Sequence, residues 1–250
     1  MVWDKGWWQV RSGSPAQRHR LGWRLVWHHL GLACVSVVLG AAIYAALPGP
    51  DEHFRLSMAT AYVGLAFLAV TLLIGPLKVL RRQRGALSDD LRRDVGLWTA
   101  LLGGLHVIVG IQVHMGSPWL YFFYGAGQRP AFWPLPVRID VFGLANDTGL
   151  AATLILGVLL LASNDVSMRT LGNRWWKRVQ QLNYGLLALV VLHGIVYQRI
   201  EGRDPGWVLL FWAAWLVAAG LQLVGFRIRS SQKRGRGSTL AAADLAESRR

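Results

Sequence analysis

Six stretches of this chain are apolar for about the length a helix needs to cross a bilayer. They run at about 23–47, 57–79, 94–115, 141–162, 181–200 and 206–226. Each is near the ~20 residues that cover about 30 Å of hydrocarbon at about 1.5 Å per residue. Transmembrane strands would be shorter and would alternate apolar with polar residues, and these stretches do not. The first is too long for a signal-peptide core. It ends at Pro48-Gly-Pro rather than at a small-residue cleavage site, so it reads as a retained span.

Charge sets the orientation. The chain has 250 residues, 53% of them hydrophobic, and a net charge of +14. In a soluble protein that charge would suggest nucleic acid. Here Lys and Arg lie between apolar runs, where lipid headgroups account for them, and nucleic acid is set aside. The segments up to Arg24, from 78 to 93, from 163 to 181 and from Arg227 onward hold 22 of the basic residues; the three intervening connections hold five. This alternation predicts an all-α membrane protein: a six-helix transmembrane bundle in the inner (plasma) membrane, both termini cytoplasmic. Residues 1–22 form a basic, Trp-bearing interfacial arm, 23–226 the bundle, and 227–250 a basic tail. The tail reads as disordered, with a short amphipathic helix at 240–247.

Two histidines lie deep in apolar runs. His106 is 12 residues past Asp94 and His193 is 12 past Gln181. At about 1.5 Å rise both sit roughly 18 Å in, just past the midplane. An ionisable side chain at that depth is a hypothesis about function. A structural histidine would hydrogen-bond a neighbouring carbonyl. Neutral imidazole is also an axial ligand for haem iron. Two at matched depth favour ligation, since they could clamp a flat ring from both faces. Gly103, Gly104, Gly110, Gly185, Ala188 and Gly194 would give it room, or would serve close helix packing instead. His114, eight residues beyond His106, lies near the outer surface as an additional ligand, part of a second site, or a surface residue. His28 and His29 read as interfacial. No Asp or Glu lies between Val95 and Met115 or between Val166 and Ile200, which weakens a proton relay.

The remaining features are secondary. The single Cys34 excludes an internal disulfide and a multi-cysteine metal site. The connection 116–140 carries seven aromatic residues, as an interfacial belt or as a lid. Asn146-Asp-Thr148 reads as capping chemistry. Trp175-Trp-Lys-Arg178 reads as an interfacial run leading into the fifth span.

The chain resembles the ferric reductase-like transmembrane domain superfamily over about residues 57–200. The motifs that carry this are Leu73-Ile-Gly-Pro-Leu77, Arg92-Arg-Asp-Val-Gly-Leu97 followed by His106, and Trp176-Lys-Arg-Val-Gln-Gln-Leu-Asn-Tyr184 followed by His193. In size it is similar to the haem-binding membrane subunit of bacterial methionine-sulfoxide reductases. The resemblance implies non-covalent b-type haem and electron transfer across the membrane. Relatives often carry a second histidine about 13 residues before the fifth-helix one. That place is Gln180 here, and the same offset on the third helix is Arg93. The resemblance therefore implies one haem, on His106 and His193.

No dinucleotide fingerprint is present. Electrons would come from a separate flavin reductase, a membrane quinone or a bound flavin, and would go to ferric iron or a periplasmic reductase. Two other readings compete. One is a non-redox multi-span protein, such as a small transporter or assembly factor, with structural histidines. The other is a terminal enzyme with a substrate site under the aromatic loop.

Overall fold

Backbone polar groups in hydrocarbon must be satisfied within the chain, and long apolar runs do this as helices. The computed structural model describes residues 15–49, 51–80, 87–114 and 116–247. Among them are six α-helices: α1 (Pro15–Ala46), α2 (Glu52–Leu80), α3 (Leu87–Gly110), α4 (Val141–Ala162), α5 (Asp165–Ile200) and α6 (Pro205–Glu247), with a 3₁₀ turn at Pro118–Tyr121. The interfacial arm expected over 1–22 falls mostly outside the described residues, as does 81–86 of the basic connection.

Five helices are long and apolar enough to cross a membrane: Val26–Ala46, Glu52–Lys78, Val141–Ala162, Arg174–Ile200 and Pro205–Ile228. The protein is a multi-pass membrane protein. The stretch expected as the third span lies on α3, which is not among the five. Its first turns carry Asp89, Asp90, Arg92, Arg93 and Asp94, and the helix stops at Gly110 rather than Met115. Tyr121 explains the early stop. Its hydroxyl donates to the Gly110 carbonyl (3.1 Å) and accepts from the His114 N–H (2.9 Å), which satisfies groups that a helix end leaves open. The bonds Gln112 N–H to Val109 (3.0 Å) and Val113 N–H to Gly110 (3.1 Å) tighten that turn.

Helix α2 is central. Its span is 67% buried, against 6% for that of α1. It packs on α1, α3 and α6, while α4 packs on α5 and α3. One apolar cluster joins Leu65, Leu68 and Leu72 of α2 to Leu159 of α4, Leu187 of α5 and Phe211 of α6. A second joins Val63 and Phe67 of α2 to Val95 and Leu102 of α3. Lipid offers no hydrophobic drive for helices to associate, so close approach at small residues does the work. A Cβ on Gly103 would come within 2.6 Å of Leu156, and one on Gly225 within 2.8 Å of Pro76. Helix α2 runs on through Pro76 to Leu80.

One local expectation is corrected. The cap of α4 is Asp140, whose carboxylate accepts from the Gly143 N–H at 2.8 Å. Asn146 and Thr148 are instead buried inside that helix. Helix α5 is broken at Gly172 (φ 68°), a backbone setting that favours glycine. The residues before the break form a separate short helix, and the Trp176 indole N–H ties the longer piece to the Ala162 carbonyl (3.0 Å). Helix α6 continues to Glu247. Ala241, Ala242, Ala243, Leu245 and Ala246 are strong helix formers, and extending an existing helix avoids the cost of nucleation.

Candidate functional site

His106 on α3 and His193 on α5 face each other. Their ring centroids are 6.2 Å apart and the planes cross at 80°. Helices α3 and α5 are not a closely packed pair, and the two rings meet edge to face. The Nδ1 of His106 lies 3.0 Å from the Ser57 carbonyl and 3.2 Å from the Ser57 hydroxyl. The Nδ1 of His193 lies 2.8 Å from the Ala145 carbonyl. A carbonyl only accepts, so Nδ1 is the protonated nitrogen in both rings, and the neutral imidazole keeps its lone pair on Nε2. Metal-binding histidines are oriented by this kind of outer hydrogen bond.

The spacing suits one metal ion. With imidazole–metal bonds of about 2 Å and roughly 1.1 Å from each nitrogen to its ring centre, two opposed rings stand about 6 Å apart. Among the described residues no cluster of three or more His, Cys, Asp or Glu is arranged to hold a metal. Two imidazoles supply two positions on an ion, the number that a haem can take from a protein as axial ligands.

Glycines bear on the pair unevenly. Gly110 lies close to it, with a hypothetical Cβ 3.3 Å from the Ser57 Oγ and 3.8 Å from His106 Cε1. Gly194 instead seats the Phe211 ring, which a Cβ would meet at 2.5 Å. The glycine that most constrains His193 is Gly149 on α4, whose Cβ would lie 2.9 Å from Cε1 and Nδ1. Sequence reasoning missed it because it lies on neither histidine helix.

His114 is not brought to the pair. It follows the end of α3, and its Nε2 lies 2.9 Å from the Glu201 carboxylate. Its ring stacks on Tyr197 (5.8 Å, 23°), which in turn lies 4.8 Å from the His193 ring. Tyr197 donates to the buried Asn146 at 2.7 Å. Glu201 also pairs with Arg203, and both side chains are nearly buried, at 12% and 10% exposure. Burial pulls the Arg203 guanidinium below its usual range, against the opposing effect of Glu201.

The aromatic loop is bonded to the end of α3 and across its own base. Tyr121 is buried, while Trp119 and Phe132 point outward. At its base Arg138 donates to the Leu120 carbonyl (3.2 Å) and to Asp140. Although partial burial opposes it, Arg138 and the Gly143 N–H hold the Asp140 carboxyl below the usual carboxylate range.

A second polar cluster lies at the other end of the bundle. His28 Nδ1 is 3.1 Å from the buried Asp94, His29 Nε2 is 3.8 Å from it, and the Trp98 indole donates to His29 at 3.0 Å. The carboxylates Asp94 and Glu201 thus pair with His28 and His114, not with His106 or His193. No local pattern could reveal pairings across 66 and 87 residues.

Residues 60–191 match the family described as ferric reductase like transmembrane component. The chain belongs to the ferric reductase-like transmembrane family. The matched segment contains His106 and ends two residues before His193. The chain is also 30% identical over 173 residues to the protein-methionine-sulfoxide reductase heme-binding subunit MsrQ of Xanthomonas oryzae pv. oryzae strain MAFF 311018, covering 67% of this chain and 72% of that protein. The MsrQ of Xanthomonas euvesicatoria pv. vesicatoria strain 85-10 is 28% identical over the same length and shares.

Proposed function

We propose that this family member is a haem-carrying electron-transfer subunit, with His106 and His193 as the two axial ligands of one b-type haem. The observation that carries this reading is the 6.2 Å separation of two imidazoles whose Nδ1 atoms are both engaged by carbonyls. The relatives named as heme-binding subunits support the same assignment. Bound there, haem supplies one-electron chemistry between its ferric and ferrous states. The chain supplies the two ligands, their orientation through Ser57 and Ala145, and a dry surround.

On this reading α3 is the sixth crossing and both termini are cytoplasmic, as the basic residues ask. Electrons enter from the inner side, from a separate flavin reductase or a membrane quinone. They leave to an outer acceptor, for which a methionine-sulfoxide reductase is the partner that the relatives' names suggest. His114 belongs to the outer wall of the site, because its Nε2 faces Glu201.

The test is haem stoichiometry and a reduced-minus-oxidised spectrum of the purified chain. One haem per chain is expected, with loss of the six-coordinate spectrum in both His106→Ala and His193→Ala and its retention in His114→Ala. An unchanged spectrum in His193→Ala would remove the pairing.

A further inference from the structure

Among the described residues, Glu201 holds the one buried side-chain oxygen or nitrogen, Oε2, that has no hydrogen-bond partner. The Arg203 guanidinium lies beside it as a counter-charge. The other oxygen, Oε1, is 2.9 Å from His114 Nε2. A carboxylate only accepts, so Nε2 of His114 carries the proton and Nδ1 is the basic nitrogen. The His114 side chain is 28% exposed, against 12% for Glu201, so water reaches the histidine more readily than the carboxylate.

This cluster stands one ring away from the pair. His114 stacks on Tyr197 at 5.8 Å, and Tyr197 lies 4.8 Å from His193. Few other titratable groups face it. Arg203 pairs with Glu201 and also meets Met58 of α2. Tyr62 of α2 is within electrostatic reach of both Glu201 and Arg203. Tyr121 accepts from the His114 backbone N–H. Helix α4 presents Phe142 to the His114 ring and Asn146 to Tyr197, and neither titrates. Glu201 and Arg203 are felt electrostatically at both imidazoles of the pair. Apart from that pair, His114 is the group of a type that changes charge near neutral pH. A charge added to a buried centre roughly 10 Å away changes the proton affinity of such a base by about tenfold at a protein's effective dielectric.

We propose that His114, held by Glu201, is a proton-uptake site coupled to reduction of the centre between His106 and His193. This rests on the haem reading above. An electron entering the centre from the flavin or quinol donor is matched, in molecules where His114 was neutral, by a proton that moves from water to Nδ1. Electron and proton both leave on reoxidation. The imidazolium donates to Glu201 in a charge-assisted bond, which compensates a buried carboxylate that is short of one donor.

The test uses the haem-loaded, full-length chain in nanodiscs, with the midpoint potential followed from acid to alkaline pH. The reduced form holds the proton more tightly, so the wild-type midpoint should fall as pH rises. The fall should total about 59 mV, the tenfold change in affinity converted for one electron. His114→Gln cannot take the proton and should flatten the curve while the six-coordinate spectrum persists. Glu201→Gln removes the carboxylate that favours the imidazolium and should move the fall to lower pH. A second readout needs no variant: in wild type with isotope-labelled histidine, the reduced-minus-oxidised infrared spectrum should show an imidazole becoming an imidazolium. A wild-type midpoint independent of pH overturns the proposal. So does an undiminished fall in His114→Gln, or an infrared difference without imidazolium. A chain that holds no haem removes the haem reading itself, and that is seen in the absorption spectrum before any titration.

Discussion

The two ends of the bundle handle buried polarity differently. At one end, four side chains from separate places (His114, Tyr197, Glu201 and Arg203) stand beside a histidine pair whose Nδ1 atoms are engaged by backbone carbonyls. At the other end His28, His29, Asp94 and Trp98 close on one another. Among the described residues the first arrangement leaves the buried Glu201 Oε2 without a hydrogen-bond partner, and in the second the groups pair with one another. Burial of a titratable group therefore does not mark a site by itself. Incomplete satisfaction does.

The strongest way to break this comparison is Gly149→Val. The added carbons would occupy the place of the His193 ring, so haem content should fall several-fold, read by Soret absorbance per chain, with the helical circular dichroism retained. Normal haem content in that variant would mean that His193 is free to move. Asp94→Ala should do the reverse. It leaves His28 without its acceptor and should cost about 1–3 kcal/mol of stability with no change in the haem spectrum. A spectral change there would join the two ends into one functional unit.

Smaller effects sharpen the outer end. Asp140→Ala removes a helix cap and should cost about 1 kcal/mol in a denaturation midpoint. The Asp140 carboxyl is held below its usual range, so its contribution is complete above the ordinary carboxylate range and is lost as pH falls through the lowered value. Asp140→Ala should flatten that acid limb. Tyr197→Phe removes one interhelical hydrogen bond, worth about 0.6 kcal/mol within a membrane, and should keep the haem.

The apolar runs made the helices legible, and matched depth made the histidine pair legible, because both are periodic or positional features of a single strand of sequence. The early end of α3 was not, since it depends on a tyrosine hydroxyl returning from the loop at Tyr121. Asn146 looked like a cap because its residue type favours caps, but it serves as an interior acceptor for Tyr197. Gly149 and Arg203 carry no local signal at all. Their meaning comes from the helices and loops that fold against them.

The most direct measurement is low-temperature electron paramagnetic resonance of the ferric, purified chain. Two axial imidazoles crossing at 80° should give a low-spin, strongly anisotropic signal that disappears in both His106→Ala and His193→Ala. A high-spin spectrum in the wild type, or a low-spin signal that survives either substitution, would contradict the pairing.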